Sequence, residues 1–174
     1  MKKLLLSILF SITVFSVQAQ DLFHAARQND TAQIEQLLKN GADINQANEK
    51  GFTPLILAVY ANKKSAVELL LEKGANPNSQ DLSGNTALMG AAFRGYPEMA
   101  ELLITYKADV NLTNFNSASP LIFAATFGQE AIVKQLLEAG ADLQQKDNTG
   151  KTALEHAILQ ESSSIVDLIN SYNK

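Results

Sequence analysis

Apolar residues along most of the chain follow a repeating two-helix pattern. In the stretch 51–78, a tight apolar run at 55–59 ends at the polar pair Asn62-Lys63, and a second apolar group follows at 66–71. Apolar spacing of three and four residues places side chains on one face of a helix. The pattern predicts a short buried helix, a polar loop and a second amphipathic helix, closed by Gly74-Ala75-Asn76.

Near-copies of this unit recur at a fixed step of 33 residues. The hydroxyl residue that opens each unit is Thr53, Thr86, Ser119 and Thr152. The closing loops begin with the same step at Gly41, Gly74, Lys107 and Gly140. Self-similarity at a period of this size is typical of stacked repeats, so we expect an all-α repeat solenoid with hairpin-like turns between the helical units.

Residues at the helix ends support this assignment. Thr53 is placed to accept the free N–H groups of the following helix, and Pro54 stands at its first position, where a missing N–H costs nothing. Gly74 stands where a left-handed residue ends a helix. Lys107 replaces that glycine, and in a left-handed conformation it would cost on the order of 1 kcal/mol, so Lys107→Gly is predicted to stabilise the protein.

The units form one predicted domain, 20–174. Residues 21–47 read as an incomplete N-terminal capping repeat, and 147–172 as a C-terminal cap whose second helix is polar on its outer side. Between them lie three full repeats, 48–80, 81–113 and 114–146. A terminal unit with a polar outer face is what the end of a solenoid requires.

Residues 1–19 read as a secretory signal peptide. Lys2 and Lys3 precede an apolar run at 4–17, and Val17-Gln18-Ala19 offers small residues at the cleavage positions. The alternative is an uncleaved membrane anchor, but a spanning helix needs about 20 apolar residues, more than this run contains. We therefore expect cleavage after Ala19, no membrane insertion of the mature chain, and a periplasmic protein of bacterial type, with secretion as the alternative.

Composition narrows the function further. The chain has no cysteine, which excludes disulfides, thiol nucleophiles and cysteine metal ligands. Loss of 1–19 would remove Lys2 and Lys3 and no acid, so the net charge would change from −4 to −6. That sign argues against nucleic acid and anionic membrane surfaces as partners.

The repeats resemble the ankyrin family. The resemblance rests on Thr53-Pro54-Leu55, Ser119-Pro120-Leu121, Gly41-Ala42-Asp43 and Gly140-Ala141-Asp142. It implies antiparallel helix pairs in a curved stack, binding of proteins through the concave side, and neither catalysis nor a cofactor; we expect a monomer. One departure is the family's histidine after Thr-Pro-Leu, which is Ile56, Met89, Ile122 and Glu155 here, so apolar packing is expected to replace it.

Candidate chemistry is sparse. The two histidines, His24 and His156, occupy the same slot in the first and last units. Helix layers stack at about 8–10 Å, so these residues should lie about 30–40 Å apart and cannot share a metal. The aspartates of the closing loops, such as Asp43, lack calcium-loop spacing, and turn chemistry explains them instead. No metal site is predicted.

The residues that vary between units define the predicted binding surface. In the ankyrin arrangement, turn tips and the solvent side of each first helix form the inner surface. Carried onto this chain, that surface holds the candidate partner-binding residues Phe52, Tyr60, Phe93, Arg94, Phe115, Asn116 and Phe127. Exposed aromatic residues with an arginine are typical anchors of protein interfaces. The alternative is that some of the rings pack between repeats.

Taken together, the sequence predicts a non-enzymatic protein-binding module of the bacterial envelope. It would act as an immunity-like inhibitor or as an accessory factor for an envelope enzyme. The alternative is a secreted effector that binds a host protein. An enzyme is not expected, because no convergent set of titratable groups is visible.

Overall fold

A computed structural model describes residues 21–173. This range contains ten helices and no strand, which confirms the all-α repeat solenoid. The helices are α1 (21–28), α2 (Thr31–Lys39), α3 (Pro54–Tyr60), α4 (Lys64–Glu72), α5 (Ala87–Arg94), α6 (Pro97–Thr105), α7 (Pro120–Thr126), α8 (Glu130–Glu138), α9 (Ala153–Leu159) and α10 (Ser163–Tyr172).

The helices form two rows. The odd-numbered helices pack side by side, α3 on α5, α5 on α7 and α7 on α9. The even-numbered helices form the second row, from α2 through α4, α6 and α8 to α10. Each unit contributes one helix to each row, and each unit therefore contacts only its neighbours, as in other solenoids.

The core runs continuously through the stack because the same slots are apolar in every unit. Ala58, Ala91, Ala124 and Ala157 occupy one such slot, and each is completely buried. Alanine at this slot lets neighbouring odd-numbered helices approach closely. Leu70, Leu103 and Leu136 fill the corresponding slot of the even-numbered row, and burial of each leucine contributes roughly 1.5–3 kcal/mol.

The helix caps follow the sequence prediction. Thr53, Thr86, Ser119 and Thr152 each accept a hydrogen bond from the backbone N–H three residues later, at 3.3 to 3.4 Å. In the histidine slot of the family pattern, Ile56, Met89 and Ile122 are buried, so apolar packing replaces the histidine there. Glu155 instead accepts from the Thr152 N–H at 2.7 Å and completes a capping box.

Lys107 and Ser117 are two of the five described non-glycine residues whose positive φ is a conformation that favours glycine. Lys107 has φ +66°, in the slot where Gly74 has φ +89°. Ser117 has φ +58°, in the slot where Gly84 has φ +79°. The left-handed conformation predicted for Lys107 is therefore present, and it brings Cβ close to the following carbonyl oxygen.

Asparagines in the closing loops tie each unit to the next. The Asp109 N–H donates to Asn78 Oδ1 at 2.8 Å, and equivalent bonds run from Asn76 to Asn45 and from Asp142 to Asn111. Within one loop, Asp43 accepts from the Asn45 N–H. This is the turn chemistry predicted for the loop aspartates.

Backbone hydrogen bonds also join each turn tip to the next one along the stack. The Leu82 N–H donates to the Lys50 carbonyl, the Phe115 N–H to the Ser83 carbonyl and the Asn148 N–H to the Asn116 carbonyl, at 3.2, 3.1 and 2.9 Å. These bonds set the register of the tips, so side chains on neighbouring tips hold defined relative positions.

The predicted signal segment, 1–19, lies outside the described residues. Within 21–173, none of the helices combines the length and apolar character that crossing a membrane would require.

Candidate binding surface

The predicted binding residues share one side of the stack. Phe52, Phe115 and Asn116 lie on turn tips, whereas Tyr60, Phe93, Arg94 and Phe127 lie at or just after the ends of odd-numbered helices. We call this surface, made of the turn tips and the odd-numbered helices, the inner strip. Whether these seven residues bind a partner stays a prediction.

Aromatic rings form a connected cluster in the C-terminal half of the inner strip. Phe93 and Phe127 meet edge to face with ring centroids 4.8 Å apart, and Phe123 stacks on Phe127 at 6.2 Å. Phe93 and Phe127 are nevertheless 43% and 45% exposed, and Phe115 on the neighbouring tip is 69% exposed. Half-exposed rings held by one another present a pre-formed apolar surface, which is the kind of patch that marks interaction sites.

The aromatic residues of the N-terminal half are packed more closely. Phe52 contacts Phe23 and Leu57, and its ring centroid lies 5.9 Å from that of Tyr60. Tyr60 lies against Gly90, where an added Cβ would come within 3.1 Å of the ring. Burial raises the pKa of the Tyr60 hydroxyl, and the Asp81 charge acts in the same direction while Arg94 opposes it. In these two residues much of each ring therefore serves packing between repeats.

Arg94 is positioned by a residue that the sequence did not assign to the surface. Its Nη2 donates to the Tyr96 hydroxyl at 3.1 Å, and its guanidinium lies 5.6 Å from the Tyr96 ring centroid. Arginine stacked on an aromatic ring keeps its charge while losing side-chain freedom. Tyr96 thus holds Arg94 at the edge of the inner strip.

A groove of about 380 Å³ opens in the inner strip between the third full repeat and the last unit. Its apolar part comes mainly from α7 and from Phe127 directly after it, and its polar rim from the two adjacent turn tips and α9. Sequence reasoning had named two of its residues, Asn116 and Phe127. The groove residues that it missed include Ile122 and Phe123, whereas Thr126, Asn148 and Thr149 were expected on the same surface as turn-tip or helix-end residues but not named as binding residues. One signal was available, because Phe123 occupies the slot of His24, Leu57, Gly90 and His156 and is the only phenylalanine, tyrosine or tryptophan there.

His156 is bonded within its own unit, as expected for a structural histidine. Its Nε2 lies 2.7 Å from Asp147 Oδ2, and both side chains are largely buried. Burial alone would raise the pKa of Asp147, but hydrogen bonds from Thr149, His156 and the Lys151 N–H outweigh it and lower that pKa well below its ordinary value. The pair fastens the last turn tip to α9.

The groups around Asp147 are in the wrong order for a nucleophilic triad. A triad places the histidine between the hydroxyl and the carboxylate, so that it can take the hydroxyl proton. Here Asp147 lies between the other two, accepting from Thr149 Oγ1 at 2.7 Å on one oxygen and contacting His156 on the other. The arrangement therefore orders a loop and does not activate Thr149.

His24 is at the other end of the stack, on α1, beside Arg27 and Lys50. The structure therefore keeps the two histidines in separate units, as predicted. Among residues 21–173, no cluster of three or more histidine, cysteine, aspartate or glutamate side chains is arranged to hold a metal ion.

Comparison with known families agrees with this geometry. The family model described as ankyrin repeats, three copies, matches residues 22–114 and 89–174. The chain therefore belongs to the ankyrin repeat family. Ankyrin repeats indicate a protein–protein interaction module, which is the class of function that fold and family support. A search of curated proteins found no match.

Proposed function

We propose that the chain is a non-enzymatic binding module of the bacterial envelope that holds a protein partner on its inner strip. The observation that carries the proposal is that three phenylalanine rings on one surface, Phe93, Phe115 and Phe127, are 43%, 69% and 45% exposed. An exposed apolar patch of this kind marks an interaction site. Bound to an envelope protein, the module would act as an immunity-like inhibitor or as an accessory factor.

Export is part of the proposal because of residues 1–19, whose lysine-led apolar run and Val17-Gln18-Ala19 ending match a cleavable signal. Cell fractionation with N-terminal sequencing tests it. Export predicts a periplasmic chain that begins at Gln20. Recovery from the culture medium would favour the secreted effector, and a cytoplasmic chain that retains Met1 would refute export.

Affinity capture from an envelope extract tests the binding surface. Phe115 is the best first variant because its ring is the most exposed of the cluster, so Phe115→Ala should change folding least. We expect wild type to retain a partner, and Phe115→Ala combined with Phe127→Ala to lose it. Tyr172→Ala is the matched control, since Tyr172 is an aromatic residue of similar exposure to Phe127, at 42%, on α10 outside the inner strip.

Circular dichroism of the same variants separates loss of binding from loss of folding. Phe127 packs on Phe93 and Phe123, so its truncation should lower stability by about 1–2 kcal/mol, less than the 3–5 kcal/mol of a fully buried ring. If Phe115→Ala with Phe127→Ala stays folded and retains the partner, the inner strip is not the binding surface. Hydrolysis of ester, peptide or phosphate substrates by the purified protein, abolished by Asp147→Asn, would refute the non-enzymatic part.

A further inference from the structure

We infer that the groove between the third full repeat and the last unit receives an extended segment of the partner that carries one bulky apolar side chain with acidic residues beside it. The inference rests on the proposed function and adds the chemistry of the partner. We call this site the aromatic groove; its lining includes the apolar residues Ile122, Phe123 and Phe127 and the polar residues Asn116, Asp147, Thr149 and His156.

The floor of the aromatic groove selects an apolar group. Ile122, Phe123 and Phe127 supply its apolar surface, and the stacking of Phe127 on Phe123 holds the rings in place before a ligand arrives. A volume of about 380 Å³ is at the lower end of the range for binding pockets. It therefore suits one large side chain, whereas the face of a whole helix would need a longer groove.

The charged groups inside the aromatic groove are already paired. Asp147 is bonded to His156, Thr149 and two backbone N–H groups. A cationic side chain entering the groove would have to compete for a carboxylate whose hydrogen bonds are satisfied. The interior is thus unsuited to a basic anchor and open to an uncharged one.

The surroundings of the aromatic groove favour acidic neighbours of that anchor. Lys151 Nζ lies 3.2 Å from the hydroxyl of Thr149 on the rim. Arg94 occupies the slot equivalent to Phe127 one unit earlier. Within the described residues, the even-numbered helices carry eight acids and three bases, whereas the odd-numbered helices carry two of each. An acidic segment therefore meets Lys151 at the groove rim and an excess of acidic residues on the even-numbered row, a difference that favours docking at the groove.

Asn116 provides the polar contact for an extended segment. It is exposed on the rim, and its side-chain amide makes no hydrogen bond to any other described residue, whereas the Asn148 amide bonds to Ser117 Oγ and the Phe115 carbonyl. A free amide offers one donor and one acceptor group, which match the main chain of an extended peptide. An asparagine whose amide is already hydrogen-bonded within the protein, such as Asn148, could not make this contact.

The test is selection of a random 12-residue peptide library, displayed on phage, against the purified full-length protein. We expect enrichment of peptides with a leucine or aromatic residue next to Asp or Glu. A synthetic peptide of the consensus should bind at least about tenfold more weakly to Phe127→Ala. It should bind about threefold more weakly to Asn116→Asp, because the added charge faces the acidic residues of the peptide.

A control variant with the same added charge elsewhere shows whether the effect of Asn116→Asp is specific to the groove. Asn170→Asp adds the same charge on α10, and there we expect no change in peptide affinity. A consensus rich in lysine or arginine, tighter binding to Asn116→Asp, or a Kd unaffected by Phe127→Ala would each overturn the inference. If selection yields no peptide while a folded partner is still captured through Phe115, the extended segment is refuted and the proposed function stands.

Discussion

Lys107 is a position at which a side chain opposes the repeat geometry, and its replacement by glycine should stabilise the protein. Its φ of +66° is of the kind that glycine adopts in the equivalent slot of three other units. Removing the steric strain of a non-glycine residue in the left-handed conformation stabilises the folded state by about 1–2 kcal/mol. Glycine also increases the conformational entropy of the unfolded chain, which lowers the stability of the folded protein by about 0.4–1 kcal/mol. The net gain in stability should therefore be about 0.5–1 kcal/mol.

Thermal and urea unfolding followed by circular dichroism measure this gain. At roughly 2–4 °C per kcal/mol for a domain of this size, Lys107→Gly should raise the Tm by about 1–4 °C. Lys107→Ala is the control for charge: it keeps the left-handed Cβ and loses a cation at the end of α6, so it should lower stability by a few tenths of a kcal/mol.

The reverse substitution, Gly74→Lys, isolates the conformational cost. A Cβ added at Gly74 meets no atom within 4 Å, so a loss of stability there reflects backbone strain and not a clash. We expect a loss of about 1 kcal/mol. If Lys107→Gly lowers the Tm while Gly74→Lys leaves it unchanged, left-handed strain does not govern these loops and the reasoning fails.

Three further variants test other parts of the frame. Gly51→Ala should lower stability in urea unfolding by at least about 1 kcal/mol more than Gly74→Ala. Both glycines have positive φ, but of the two only Gly51 would place a Cβ 2.6 Å from a backbone nitrogen, that of Leu82. Equal losses of stability would refute the clash. Asn78→Ala should cost about 1 kcal/mol through loss of the bond from the Asp109 N–H; Gln144→Ala, in the same slot of the last closing loop, should be neutral, and equal effects would mean that the bond contributes nothing. The pKa of Asp147 is lower in the folded than in the unfolded chain, so its stabilisation is present above the ordinary value of 3.8 and is lost as pH falls below it. In Asp147→Asn the free energy of unfolding should therefore fall less than in wild type between about pH 5 and pH 3. An equal fall in both proteins would show that this carboxylate does not contribute.

The frame could be predicted from sequence because its determinants are local. A cap such as Thr53 bonds a backbone group three residues away, and a loop residue such as Asp43 bonds one two residues away. Both interactions depend on a few consecutive residues. Because the same local pattern recurs in several units, one ambiguous unit does not change the fold prediction.

The packing of the inner strip could be predicted only in part, because it depends on contacts between units. Tyr60 and Phe93 occupy equivalent slots, yet Tyr60 lies against Gly90 in the next unit, whereas Phe93 meets Phe127 and stays half exposed. Nothing within either unit distinguishes the two cases. A glycine in the middle of α5 was the available signal, since glycine is unfavourable in a helix and usually has a packing reason there.

One slot of the inner strip explains how a uniform frame produces different local surfaces. From the first unit to the last it is occupied by His24, Leu57, Gly90, Phe123 and His156. Leu57 packs under Phe52, Gly90 makes room for Tyr60, Phe123 forms the floor of the aromatic groove, and His156 fastens the last turn tip. Because this slot is neither a cap nor part of the shared core, its residue can change without loss of the fold. The choice of side chain at this slot therefore decides which part of the inner strip is closed by packing and which part stays open to a partner.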